Sequence, residues 1–312
     1  MTGKSYRKGI SLVELLRMFP DDDAAERFFA ETRWPDGRPH CPYCGSVNVL
    51  SGAKHKTMPY RCRQKECRKR FSVRTRTVME ASNLGYQTWA LATYLLMTNL
   101  KSVSSMKLSR DLRITQKSAW FLAHRLREAW KKIDDPFFGP VEVDETYISG
   151  RESNKHAHKK LNAGRGTVGK TVVAGVRDRA TNKVSAAVIE NTRVQDLHRF
   201  IGDRVDLDAT DYTDDHSAYK GMAWEHETVR HSTGEYVKGK AHTQGIESFW
   251  SMLKRAHKGT FHKISPKHMD RYVTEFAGRH NNREAGTGRQ MRDLVKGMVG
   301  RRLKYDDLTA DY

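Results

Sequence analysis

Apolar positions fall at helical spacing in the first third of the chain and alternate with polar ones in its middle. Leu12, Leu15 and Leu16 share one helical face behind Ser11, a natural N-cap, and predict a helix over 11–18. Residues 21–32 predict a second helix, with aspartates at its positive N-terminal end. Short strand signals follow at 60–62 and 71–73, then a helical stretch over roughly 86–132. From residue 141 the period changes to two. Strands are predicted at 141–148, 171–177 and 184–189, a helix at 194–205, and strands near 209–214 and 227–231. A helix starts near Thr243 with Ile246, Phe249, Trp250 and Leu253 on one face, and the C-terminal 50 residues read as helical. Strands, helix, strand and helices make an α/β layout. The Pro- and Gly-containing run 134–140 separates it from what precedes, and the main domain boundary is expected there.

The four cysteines change the picture for residues 39–80. Cys41 and Cys44 form one pair and Cys62 and Cys67 a second, 18 residues after Cys44, with no cysteine elsewhere. Paired thiolates on two tight turns suit tetrahedral Zn²⁺, and four ligands leave no open position, so the metal is expected to be structural. Buried free thiols or a redox pair are the alternatives.

Charge points to the partner. Lys and Arg total 56 against 37 acids, a net charge of +19. Such an excess favours polyanions through phosphate neutralisation. Ten of these cations lie between Lys54 and Arg76, with Glu66 the one acid, and Tyr60 and Phe71 interleave with them. A solvated charged face is the bland alternative to DNA contact. No run approaches the roughly 18 apolar residues of a membrane span, and no signal peptide is evident, so a cytoplasmic protein is expected.

Residues 104–112 read as a short helix, 113–115 as a turn, and 116–131 as a second helix with Thr115 as N-cap and Ala119, Leu122 and Leu126 facing inward. This is a helix-turn-helix pattern, in which Gln116, Lys117 and Ser118 would reach the major groove. An ordinary helical hairpin matches the same pattern. Residues 164–171 fit the phosphate-binding loop Gly-x-x-x-x-Gly-Lys-Thr letter for letter. That loop must open a helix, whereas this one leads into a strand-like run, so a flexible basic loop is the better reading.

Three acidic residues stand out on the strand and helix signals: Asp144 in Val141-Glu-Val-Asp-Glu-Thr-Tyr147, Asp214 in Tyr212-Thr-Asp-Asp215, and Glu247 in Ile246-Glu-Ser-Phe-Trp250. By alternation Asp144 shares a side with Glu142 and Thr146. Strand, strand, helix is how a ribonuclease-H-like fold gathers carboxylates around Mg²⁺ for phosphoryl transfer. Taken singly, each has a solvated alternative.

These pieces occur in order with others: Arg33-Trp-Pro-Asp-Gly37, Cys67-Arg-Lys-Arg-Phe-Ser-Val-Arg-Thr75, Ala218-Tyr219, Lys254-Arg255, Ser265-Pro-Lys-His268 and Glu275-Phe-Ala-Gly-Arg-His-Asn-Asn-Arg283. Together they resemble the bacterial insertion-sequence transposases that carry an N-terminal zinc ribbon and a ribonuclease-H-like DDE domain. The resemblance implies a mixed sheet with flanking helices, preceded by a zinc ribbon and a helix-turn-helix-like region. The expected layout is N-terminal helices over 1–38, ribbon over 39–80, helical region over 81–135, catalytic domain over 136–285 and a tail over 286–312. It implies Asp144, Asp214 and Glu247 as catalytic ligands of Mg²⁺ or Mn²⁺. It implies DNA contacts from Arg68, Lys69, Arg70, Gln116, Lys117, Ser118, Lys254 and Arg255. The implied reaction cuts at the element's terminal inverted repeats and joins the 3′ ends to target DNA, with at least two copies pairing the ends. Gln244 departs from the Asn the family often carries three residues before Glu247, which leaves the metal ligands in place. A non-catalytic DNA-binding regulator and a structure-specific nuclease are the competing functions.

Overall fold

The structure, a computed structural model, describes residues 8–131, 136–148, 158, 169–214, 219, 225–229 and 243–310. The chain divides into two compact units, residues 1–132 with 284–312, and residues 133–283.

The first unit opens with α1 (Leu12–Met18) and α2 (Asp22–Arg33). Ser11 closes a capping box with Glu14, and Asp21 caps α2 through the Ala24 amide. Of the expected apolar face of α1, Leu15 is buried but Leu12 and Leu16 stay exposed. The helix instead meets the core along Leu15 and Phe19, four residues apart. The three-stranded ribbon β1 (Val49–Leu50), β2 (Tyr60–Cys62) and β3 (Arg70–Phe71) is antiparallel throughout. Helices α3 (Tyr86–Thr98), α4 (Ser105–Leu112) and α5 (Gln116–Glu128) follow.

Ribbon and helices share one core. Phe29, Trp34, Phe71, Trp89, Leu108 and Leu126 all belong to it. So do Met291, Leu294 and Val295 of the C-terminal α9 (Thr287–Gly297), so the segment expected as a tail completes this unit, followed by α10 (Tyr305–Thr309). Gly297 lies where an added Cβ would meet the Ala129 carbonyl oxygen, so only glycine lets α9 end against the end of α5.

The second unit is a five-stranded sheet in the order β6-β5-β4-β7-β8. Strands β4 (Val141–Ile148), β5 (Thr171–Asp178) and β6 (Val184–Ile189) form an antiparallel meander. After α6 (Val194–Gly202), β7 (Thr210–Asp214) returns parallel to β4, and β8 (Glu225–Val229) pairs parallel to β7. Thr171, the last residue of the glycine-rich pattern, opens β5, so the pattern runs into a strand, as expected; residues 164–168 lie outside the described residues.

Alternation divides the sheet's two faces. Val141, Val143, Ala174 and Val176 pack with Leu197, Phe200 and Ile201 of α6. Ile148, Val173 and Val184 pack with α7 (Gln244–Ala256) and α8 (Pro266–Asn281). The result is a mixed sheet with helices on both faces. Edge strand β6 is guarded by α8. The Asn281 side chain accepts from the Val184 amide at 2.7 Å and donates to its carbonyl at 2.9 Å, and Asp270 accepts from the Val188 amide. These side chains take backbone groups that would otherwise invite another strand.

Candidate active site and zinc site

The four Sγ atoms of Cys41, Cys44, Cys62 and Cys67 lie within 4.8 Å of one another. Cys41 and Cys67 are 3.7 Å apart, and Cys44 and Cys62 3.6 Å. Ligand bonds of about 2.3 Å in a tetrahedron put sulfurs roughly 3.8 Å apart, so the cluster has the size Zn²⁺ requires. Each pair is followed by a residue with positive φ, Gly45 at 75° and Arg68 at 46°. The two turns thus close alike despite the longer second spacing. The donor set and its dimensions fit a structural zinc.

Arg68, Lys69 and Arg70, next to the second turn, are exposed, and Lys69 Nζ sits 4.6 Å from the Tyr43 ring centre. Helices α4 and α5 are joined by the expected short turn. Arg113 takes the left-handed conformation at the turn, and Thr115 caps α5 through the Ser118 amide. Gln116 and Lys117 are exposed at the start of α5, and Ser118 is half-buried. Gln116 Nε2 donates to Ser105 Oγ at 3.0 Å, and Lys117 Nζ lies 4.6 Å from the Tyr305 ring centre.

The carboxylates sit in the second unit. Asp144, half-buried in the middle of β4, is on the face covered by α7 and pairs across the ladder with Gly175 of β5. An added Cβ at Gly175 would stand 2.6 Å from the Trp250 ring, so the missing side chain makes room for the indole. Trp250 Nε1 then donates to Asp144 Oδ2 at 2.9 Å.

Asp214 ends β7. The β4–β7 ladder pairs Val141 with Asp211 and Glu142 with Tyr212, an offset of 70 in both pairs. The paired residues end there, and Asp144 and Asp214 each stand two residues farther along their strands. The Asp214 side chain lies outside the described residues.

Glu247 is in the first turn of α7, where the helix dipole favours an acid, and accepts from Thr243 Oγ1 at 3.0 Å. It is exposed, one turn before Trp250. Lys254 and Arg255 are exposed farther along α7. Glu145, next to Asp144, turns to the opposite face and accepts from the Tyr219 hydroxyl.

Sequence reasoning gave no role to Glu142, although alternation placed it beside Asp144. Glu142 is fully buried, with ion pairs to Arg177 at 2.8 Å and Arg179 at 3.1 Å, and accepts the Ile246 amide of α7 at 2.9 Å. Gly175 and the Trp250 hydrogen bond were also missed. The signal was an apolar face interrupted by two acids and a glycine on adjacent strands.

An antiparallel meander extended by two parallel strands, with acids on the central strand, its parallel neighbour and the helix behind, defines a ribonuclease-H-like protein. The comparisons narrow that class. Residues 136–281 match the ISXO2-like transposase domain, and residues 20–70 match the transposase zinc-ribbon domain. The chain is also similar to an uncharacterized protein in transposable element ISH50 of Halobacterium salinarum, 27% identical over 277 residues, covering 84% of this chain and 91% of that protein. Both matches are to transposase domains, the combination found in insertion-sequence transposases that carry a zinc ribbon and a DDE domain. Among the described residues, no helix is long and apolar enough to cross a membrane.

Proposed function

We propose that this transposase cuts DNA at the terminal inverted repeats of its element and joins the freed 3′ ends to target DNA, in the cytoplasm, at a site built from Asp144, Asp214 and Glu247. The observation that carries the reading is the convergence of their three elements. Strands β4 and β7, which carry Asp144 and Asp214, pair side by side, and α7 is fastened to β4 on both sides of Glu247, by Ile246 and by Trp250.

A set of carboxylate oxygens suits hard cations such as Mg²⁺ or Mn²⁺. Metal ions bound there would activate the attacking oxygen and stabilise the leaving one during in-line displacement. The protein's own contribution is positioning. Trp250 holds one Asp144 oxygen, Thr243 one Glu247 oxygen, and the pairing of β4 with β7 would bring Asp214 toward Asp144. Lys254 and Arg255, on the helix that carries Glu247, would meet the substrate backbone. Water attacks first, leaving a 3′ hydroxyl, which then attacks a target phosphodiester. The first unit would recognise the element's ends through Arg68, Lys69, Arg70, Gln116, Lys117 and Ser118, and two or more copies would pair them.

Asp144→Asn, Asp214→Asn and Glu247→Gln test the reading. Each should keep binding to a terminal-repeat duplex and lose both its cleavage and its transfer into a plasmid. Glu145→Gln and Asp215→Asn should keep most activity. Near-normal joining by any of the three amides would remove that residue from the site. Cleavage without joining by the unaltered protein would favour a nuclease, and neither activity a DNA-binding regulator.

A further inference from the structure

We propose that Glu142 is a positioning residue that sets the first turn of α7, and with it Glu247, against the strands carrying Asp144 and Asp214. The inference rests on the metal-site reading above.

Helix α7 starts without a side-chain cap. The Thr243 hydroxyl goes to Glu247 and not to a backbone amide. The first amides of a helix lack intrahelical partners, and their end carries partial positive charge. Here the Ile246 amide is taken by a carboxylate 104 residues earlier, Glu142 Oε2, in a buried hydrogen bond. A buried carboxylate needs charge partners, and the Arg177 and Arg179 pairs supply them.

Those arginines extend the connection. The Arg177 guanidinium lies flush against the first turn of α7, where an added Cβ at Gly245 would be 2.1 Å from its Nη1. Arg177 Nε also donates to Asn182 Oδ1 at 2.8 Å. The Arg179 guanidinium stacks 3.8 Å from the ring centre of Tyr212, two residues before Asp214 on β7. One carboxylate is therefore tied to every element carrying a proposed ligand: β4 through its own backbone, β7 through Arg179 and Tyr212, and α7 through Ile246.

A purely structural carboxylate would affect folding alone, whereas a positioning one also affects metal affinity. Partners behind metal ligands typically change affinity 10–100-fold when altered.

The test uses the zinc-loaded full chain with Mn²⁺ alone as the probe, reading free Mn²⁺ by its paramagnetic resonance signal. Glu142→Gln should bind Mn²⁺ at least about tenfold more weakly. Amide exchange at Ile246 should accelerate, while zinc content and terminal-repeat binding stay unchanged. Asn281→Ala, which loosens the same unit at edge strand β6, should keep Mn²⁺ affinity. If Glu142→Gln does not fold, Gly245→Ala keeps every charge, displaces the Arg177 guanidinium and should show the same loss. Unchanged Mn²⁺ affinity in a folded Glu142→Gln or, failing that, in Gly245→Ala, with binding lost in Asp144→Asn, would overturn this inference alone. Retained binding in Asp144→Asn would overturn the metal-site reading and this inference with it.

Discussion

The Trp250 indole nitrogen donates to Asp144 Oδ2 at 2.9 Å, across the space that Gly175 leaves open. The bond helps orient the carboxylate, and it ties Asp144 to the helix bearing Glu247. Trp250→Phe keeps most of the ring packing and removes the donor. It should lower the cleavage rate about 10–100-fold, the range for partners behind metal ligands, with little change in melting temperature. Gly175→Ala should do worse on both counts, because the added methyl meets the ring itself. Full activity in Trp250→Phe would reduce this bond to packing.

Zinc should support the whole first unit as well as its ribbon. Cys41 and Cys62 lie in the same core as Phe71, Trp89 and Leu126. Purified protein should contain about one zinc per chain. A Cys41→Ser, Cys62→Ser double variant should lose the metal, and the helical signal of α3 to α5 should melt at lower temperature. Retention of zinc by that variant would refute the site; loss of zinc without any change in helix melting would show that the ribbon folds independently.

Strands were the most legible part of the fold. The expected bounds of β4 and β6 match the structure, and β5 differs by one residue, because each is a short run rich in β-branched residues bounded by polar, Pro or Gly positions. The joining of ribbon, helices and α9 into one core was not legible, since periodicity shows that a face is buried but not what covers it. Asp144 on β4 and Glu247 on α7 were singled out by motif. The carboxylate behind them was not, because burial of Glu142 depends on arginines 35 and 37 residues away. Glu275-Phe-Ala-Gly-Arg-His-Asn-Asn-Arg283 was legible only as a resemblance. In the structure it serves α8: Glu275 pairs with Arg279, His280 bonds the Asn182 carbonyl, and Asn281 closes the β6 edge.

His280 gives the second unit a dependence on pH. Burial above all, with Arg283 and Arg177 nearby, holds its pKa down to about 4 against the opposing bond to the Asn182 carbonyl. The unfolded chain, near 6.5, therefore takes up the proton first as pH falls. The contribution of His280 is complete above about pH 6.5 and is lost progressively toward pH 4, at about 1.4 kcal/mol per pH unit for one proton. His257, also lowered by burial, adds in the same direction. Thermal melts at pH 7, 6 and 5 should show falling stability. In His280→Gln the decline should be shallower by about one proton. An equal slope in that variant would mean that other groups account for it.

DNA binding should separate into two kinds of contact. Arg68, Lys69 and Arg70 are exposed beside the zinc turns, where long cations meet phosphates without reading bases. Their simultaneous change to Ala should weaken binding to terminal-repeat and random DNA alike. The slope of log affinity against log salt should fall by roughly 0.9 for each phosphate contact removed. Gln116 stands instead at the exposed start of α5, its amide held by Ser105 across the helix-turn-helix. That hydrogen bond fixes the side chain's direction before DNA arrives, as a base reader requires. Gln116→Ala should cost about 1–3 kcal/mol on the terminal repeat, with the salt slope unchanged and random-sequence affinity intact. Lys117 lies over Tyr305, so Tyr305→Ala should release it and alter affinity through the C-terminal helix without touching a proposed DNA contact. The measurements are fluorescence-anisotropy titrations of both duplexes from low to physiological salt. Equal losses on the two duplexes for Gln116→Ala would assign α5 to the backbone and place sequence reading elsewhere.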